Sequence, residues 1–78
     1  MTNALNDAAV LAELLRTGAD DHLLTAEQVG TLLNRSTLQL EDDRRNGRGP
    51  AWVQPFGPNG SVRYKLGDVR AFVNASAT

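Results

Sequence analysis

Residues 25–46 read TAEQVGTLLNRSTLQLEDDRRN, and a local pattern that occurs twice in this stretch decides the fold. Thr25-Ala26-Glu27-Gln28 and Ser36-Thr37-Leu38-Gln39 each set a hydroxyl residue three positions before a glutamine. In such a capping box the hydroxyl accepts the backbone N–H of the fourth residue, and the glutamine side chain answers the N–H of the first, so each box starts a helix. Ala26, Val29, Leu32 and Leu33 then fall on one face of the first helix. Asn34 suits the left-handed backbone that stops it. In the second helix, which runs to about Asn46, Leu40, Asp43 and Arg44 share the inward side. Two short helices joined by about three residues form a helix-turn-helix candidate.

Upstream, Ala4 to Thr17 is rich in Ala and Leu, with Ala8, Leu11, Leu14 and Leu15 on one side and Gly18 as a stop, which predicts an amphipathic helix. GADDH, residues 18–22, reads as a polar hinge, and it leaves open whether the leading helix docks on the rest, projects, or pairs with a second copy through Leu11, Leu14 and Leu15. Downstream, Gly47, Gly49 and Pro50 end the second box helix. A hairpin is expected next, with Ala51–Phe56 and Ser61–Leu66 as arms around the turn-forming Gly57-Pro58-Asn59-Gly60, Val62 and Tyr64 pointing inward and Arg63 and Lys65 outward. Asp68 is expected to cap a last helix carrying Val69, Phe72 and Val73, and residues 74–78 to form a small polar tail. The fold class is therefore mainly α with a small β-hairpin. Residues 1–22 form the leading helix and hinge, and residues 23–73 form the main unit.

The whole chain has 78 residues, 8 Lys+Arg against 9 Asp+Glu, 41% hydrophobic residues, one His and no Cys, which suits one small domain with a modest core. Without Cys there is no disulfide framework, thiolate zinc site or Cys nucleophile. His22 alone, in the acidic hinge, gives no spacing for a Ser-His-Asp or metal constellation, so neither an enzyme nor a cofactor is expected. No apolar run approaches the roughly 20 residues of a membrane span, and MTNALNDAAV lacks a basic leader region, so the expected location is cytoplasmic, without membrane association. Charge is unevenly placed: residues 1–34 hold one basic against five acidic residues, while residues 35–78 hold seven basic against four acidic. A basic second half on an acidic lead is the pattern to explain, either as a nucleic-acid contact or, equally, as ordinary surface charge unevenly dealt.

The stretch Leu23 to Val73, with LLTAEQVGTLL as its first helix, DRRNGRGPAWV as the exit from the second, and VRY followed by a D-x-x-x-F helix, resembles the AlpA-like and excisionase-like winged-helix proteins of prophages and plasmids, relatives of the MerR-type DNA-binding domain. The resemblance covers about two thirds of the chain. It implies a winged helix-turn-helix, here preceded by an extra N-terminal helix, in a small bacterial or phage-encoded, nucleoid-associated protein. Such a protein binds double-stranded DNA with the Thr37 helix in the major groove and the hairpin on the backbone or minor groove. Its implied output is DNA recombination or transcription regulation, with an integrase or RNA polymerase as protein partner. The chain departs from the family at Gln39, where Thr is frequent, at Asn34, where Gly is frequent, and in its Pro-, Asn- and Gly-rich wing loop.

The expected DNA-binding residues are Ser36, Thr37, Leu38, Gln39, Arg44, Arg45, Arg48, Asn59, Arg63 and Lys65. Leu38, Glu41, Asp42 and Arg45 point away from the core if Leu40 points in. Thr37 offers a hydroxyl and backbone N–H groups at a helix N-terminus, and Arg45 suits guanine or phosphate. Arg44, Arg45, Arg48, Arg63 and Lys65 form a candidate track along one phosphate backbone. Each has a plain alternative: Gln39 folds back on Ser36, Glu41 pairs with Arg45, Arg44 pairs with Asp43 or Asp68, and Asn59 with Gly60 and Ser61 is only a turn. Glu41 and Asp42 weigh against phosphate contact, and together with the acidic leading helix they would be the functional surface of a protein-interaction module on the same scaffold. Trp52, Phe56, Tyr64 and Phe72 are expected in the core rather than as base-stacking platforms.

Overall fold

The computed structural model describes residues 7–76, in the order α1 (Ala8–Thr17), β1 (Leu23–Thr25), α2 (Ala26–Leu33), α3 (Thr37–Arg45), β2 (Arg63–Lys65) and α4 (Leu66–Ser76). It is a mainly helical domain with a two-stranded antiparallel sheet. Both capping boxes form in full. Thr25 Oγ1 accepts from Gln28 N at 3.1 Å while Gln28 Oε1 accepts from Thr25 N at 2.9 Å, and Ser36 with Gln39 repeats the exchange at 3.0 and 2.9 Å. Between the helices Asn34 takes the left-handed conformation at φ 55° and ψ 47°. The chain then doubles back so tightly that Arg35 N donates to the Gly30 carbonyl at 2.8 Å, and a Cβ at Gly30 would lie 2.5 Å from the Arg35 carbonyl oxygen. Gly30 is thus the residue that lets α3 fold back on α2.

The sheet differs from the expected hairpin. Leu23, Leu24 and Thr25 pair antiparallel with Lys65, Tyr64 and Arg63, whereas the Ala51–Phe56 arm contributes one bridge, Val53 to Arg63, with N–H···O distances of 2.8 and 2.9 Å. Pro50 just before that arm and Pro55 within it have no N–H to extend its ladder, while Leu23–Thr25 lies free to take the other edge of β2. Leu24 and Tyr64 face each other across the sheet, both buried, and Val29, Leu40, Leu66 and Val69 close the core around them. Tyr64 is the one aromatic that sits there. Trp52 is 41% exposed and Phe56 is 68% exposed, on an arm held to the sheet by a single bridge, and Phe72 on α4 is half-buried. The expected aromatic core is therefore an aliphatic core around one tyrosine.

The leading helix docks. Asp7 caps α1, with Oδ1 accepting from Ala9 N at 2.9 Å; Leu11 is fully buried; Leu14 and Leu15 pack on the core. The helix was expected from Ala4: residues 4–6 lie outside the described residues, and Asp7 is the cap instead of a helical residue. Arg70 of α4 fixes the other end of α1: Nε donates to the Leu15 carbonyl and Nη2 to the Gly18 carbonyl, both at 2.9 Å, and Nη1 meets Asp20 Oδ1. Nor is the 18–22 segment a hinge. Its Asp20 and His22 carbonyls accept from Gly67 N and Leu66 N at 2.9 and 2.8 Å, which satisfies the opening N–H groups of α4. That is why α4 starts at Leu66, directly from β2, and why Asp68 lies inside its first turn instead of capping it. The helix also runs on through Asn74 to Ser76, where a polar tail was expected; positions 77 and 78 lie outside the described residues.

Candidate nucleic-acid interface

The ten expected DNA-binding residues separate into distinct environments. Ser36 and Gln39 are engaged with each other at the start of α3, so the plain alternative for Gln39 is the one observed. Thr37 follows as the first helical residue and is exposed, and Leu38 beside it is 75% exposed, the most open large apolar side chain of the described residues. Inward-facing Leu40 and Asp43 are buried, as the helical spacing predicts. Glu41, Asp42 and Arg45 lie toward solvent.

The arginines sort by the partner each holds. Arg45 Nη2 pairs with Glu41 Oε1 at 2.8 Å, one turn back on α3. Arg48 Nη2 pairs with Asp42 Oδ2 at 3.1 Å, and its Nε lies 3.5 Å from Asp43 Oδ1. Arg35 grips the nearly buried Asp43 through two parallel bonds, Nε to Oδ2 at 3.0 Å and Nη2 to Oδ1 at 3.1 Å. The sequence marks Asp43 as an acid on an inward face, which calls for a cationic partner. The partner is Arg35, eight residues earlier, which sequence spacing did not indicate.

Arg44 and Arg63 are held differently. Arg44 Nη1 donates to the Tyr64 hydroxyl oxygen at 2.6 Å, with its guanidinium carbon 6.0 Å from the ring centre; the expected pairing with Asp43 or Asp68 is not made. Arg63 Nη1 donates to the Val62 carbonyl at 3.0 Å, and its guanidinium carbon lies 5.3 Å from the Phe56 ring centre. Both are half-buried and line one open groove together with Thr37 from α3 and Ser61 from the loop before β2. Glu27 of α2 also lines this groove. Lys65 is not part of it; it is exposed beside Asp20, Asp21 and Asp68 at the other end of the sheet. Asn59 is exposed in the loop, where Gly60 N donates to the Gly57 carbonyl at 2.9 Å and Gln54 Nε2 reaches the Pro58 and Gly60 carbonyls at 3.3 Å. Gln54 thus stitches a loop that Gly and Pro alone would leave loose, a role that sequence patterning does not show.

The five-cation track is therefore not continuous. Two of its members carry compensating carboxylates, one stands beside an acidic cluster, and Arg44 and Arg63 share a groove with neutral partners. Among the described residues, no group of three or more His, Asp or Glu side chains comes together that could hold a metal, and no helix is long and apolar enough to cross a membrane. Compared with protein-family models, curated proteins and solved structures, the chain matches none.

Proposed function

We propose that this chain is a sequence-specific double-stranded DNA-binding protein built as a winged helix-turn-helix, of the excisionase or prophage and plasmid transcription-regulator type. α2 and α3 are the helix-turn-helix pair, and the segment from Val53 to β2 is the wing. The observation that carries the reading is the shared groove: Thr37 at the start of α3, Arg44 on its body, and Ser61 and Arg63 from the wing side all line it. A helix N-terminus and two arginines facing one groove suit a phosphate backbone, which attracts cations and backbone N–H groups alike, and they outweigh the single carboxylate of Glu27 on the same groove. With the backbone there, the exposed Leu38 meets base edges, where an apolar side chain contacts the thymine methyl group. Exposed Asn59 at the tip of the loop is available to the neighbouring minor groove.

The test is fluorescence anisotropy with labelled duplex DNA. At low salt binding is expected, with log affinity falling linearly as log salt rises. No binding, or binding indifferent to salt, defeats the reading. Trp52, the sole tryptophan and partly exposed next to the wing bridge, gives an independent fluorescence signal on the unlabelled protein.

A second reading has its own observation. Leu38 is flanked on the α3 surface by Glu41 and Asp42, whose charges Arg45 and Arg48 balance, and such a neutral, partly apolar face also suits a protein partner such as a recombinase or RNA polymerase. Leu38→Asp separates the two. A DNA reader loses sequence preference but keeps salt-dependent, non-specific affinity, whereas a protein-interaction module shows no duplex affinity with or without the change.

A further inference from the structure

Eight residues carry positive side chains, and five of them, Arg16, Arg35, Arg45, Arg48 and Arg70, are in salt bridges with carboxylates. Arg44, Arg63 and Lys65 have no carboxylate partner among the described residues, and the first two share a groove in which Glu27 is the one carboxylate, bonded to neither arginine, so that the groove keeps a net positive charge. Each of those two is nevertheless held, and by a group without charge: the hydroxyl of buried Tyr64 for Arg44, the ring face of Phe56 with the Val62 carbonyl for Arg63. A carboxylate in either place would fix the side chain but cancel its charge. A neutral oxygen or an aromatic face restricts the same side chain and leaves its charge intact. Phe56 is otherwise hard to account for, since a phenylalanine 68% exposed on a small domain contributes little to the core.

Resting on the DNA reading above, we infer that Arg44 and Arg63 form a two-point clamp for the phosphodiester backbone, and that Tyr64 and Phe56 are the positioning residues that hold the clamp in place without cancelling its charge. Arg45 and Arg48 stay outside it. Swinging either one onto a phosphate leaves Glu41 or Asp42 facing the same backbone, so the pair brings no net charge to the contact. Holding the two clamp arginines in place beforehand lowers the side-chain entropy lost on binding.

The experiment is a salt titration of duplex binding by anisotropy on the full chain, with thermal unfolding run alongside. Arg44→Gln and Arg63→Gln are each expected to lower the magnitude of the log affinity against log salt slope by about one. Phe56→Leu is expected to weaken binding in the same direction with an unchanged unfolding midpoint, and Phe56→Tyr, which keeps the ring face, to restore it. Tyr64→Phe keeps the buried ring and is expected to weaken binding through Arg44 alone, so that it adds nothing in the Arg44→Gln background. If Tyr64→Phe fails to fold, the Phe56 pair still decides the positioning claim. Wild-type slope in both arginine variants overturns the clamp and leaves the DNA reading standing. Full binding by Phe56→Leu, with loss in Arg63→Gln, overturns the positioning role. Absence of salt-dependent binding by the unaltered chain overturns both inference and reading.

Discussion

Gly30 and Asp43 are the residues on which the α2–α3 geometry turns, and for opposite reasons. At Gly30, alanine would raise helix propensity by about 1 kcal/mol. Its Cβ, however, would meet the Arg35 carbonyl at 2.5 Å, and backbone cannot rotate away as a side chain can. The clash wins. Gly30→Ala is expected to destabilise the domain by about 1–3 kcal/mol, a typical cost of overpacking, as read from chemical unfolding. Asp43 is a charge in the core that is tolerated because Arg35 binds both of its oxygens and Arg48 approaches one of them. Asp43→Asn keeps the shape and loses the charge-assisted bonds, with an expected loss of about 1–3 kcal/mol. The exposed Glu41–Arg45 pair is worth only about 0.3–0.5 kcal/mol, so Glu41→Gln should leave the unfolding midpoint almost unchanged. Equal effects of the two substitutions would show that Asp43 is better solvated than its burial indicates.

Among the elements, α1 is the one whose role the sequence left open, and Arg70 decides it. One guanidinium caps two carbonyls at the α1 C-terminus and pairs with Asp20, and so joins the first and last helices. Arg70→Met keeps much of the stem packing but removes all three bonds. It is expected to raise amide exchange in α1 well before exchange in α2 and α3 rises, and uniform exchange across the helices would contradict that order. Truncation to start near Asp21 removes Leu11, Leu14 and Leu15 from the core and is expected to abolish cooperative melting. Legibility in the sequence follows the range of the interactions concerned. The two capping boxes, the Asn34 turn and the inward side of α3 were readable because their partners lie three or four residues apart. The β1–β2 pairing, the Arg70 cap and the Arg35–Asp43 grip join residues 8 to 55 positions apart, and no local period marks them. The aromatic placements failed for a related reason, since Trp52 and Phe56 have the composition of a strand while Pro50 and Pro55 deny that strand its hydrogen bonds.

At the scale of the whole molecule Leu11 of α1 is fully buried and Leu14 and Leu15 pack against the chain's own core, so most of that face is spent within one copy. The expected outcome is a monomer by light scattering at two concentrations, with an unfolding midpoint independent of protein concentration; a mass that rises with concentration would place a dimer contact elsewhere on the surface. On the proposed DNA reading, the distribution of charge then sets the strength of the contact. Each phosphate neutralised on duplex DNA contributes about −0.9 to the slope of log affinity against log salt. Five independent cations in the second half of the chain would give about −4.5. With Arg45 and Arg48 balanced by Glu41, Asp42 and Asp43, the unbalanced set shrinks to Arg44, Arg63 and Lys65, and Lys65 stands apart beside Asp20, Asp21 and Asp68. The slope is therefore expected between about −1.8 and −2.7, the shallow dependence of a contact made by two or three phosphates. A slope near −4.5 would mean that the α3 carboxylates release their arginines on binding, and Glu41→Gln with Asp42→Asn would then leave that slope unchanged. A slope in the lower range that steepens when those two carboxylates are neutralised would show that α3 faces the backbone with its charges balanced in the bound state as in the free one.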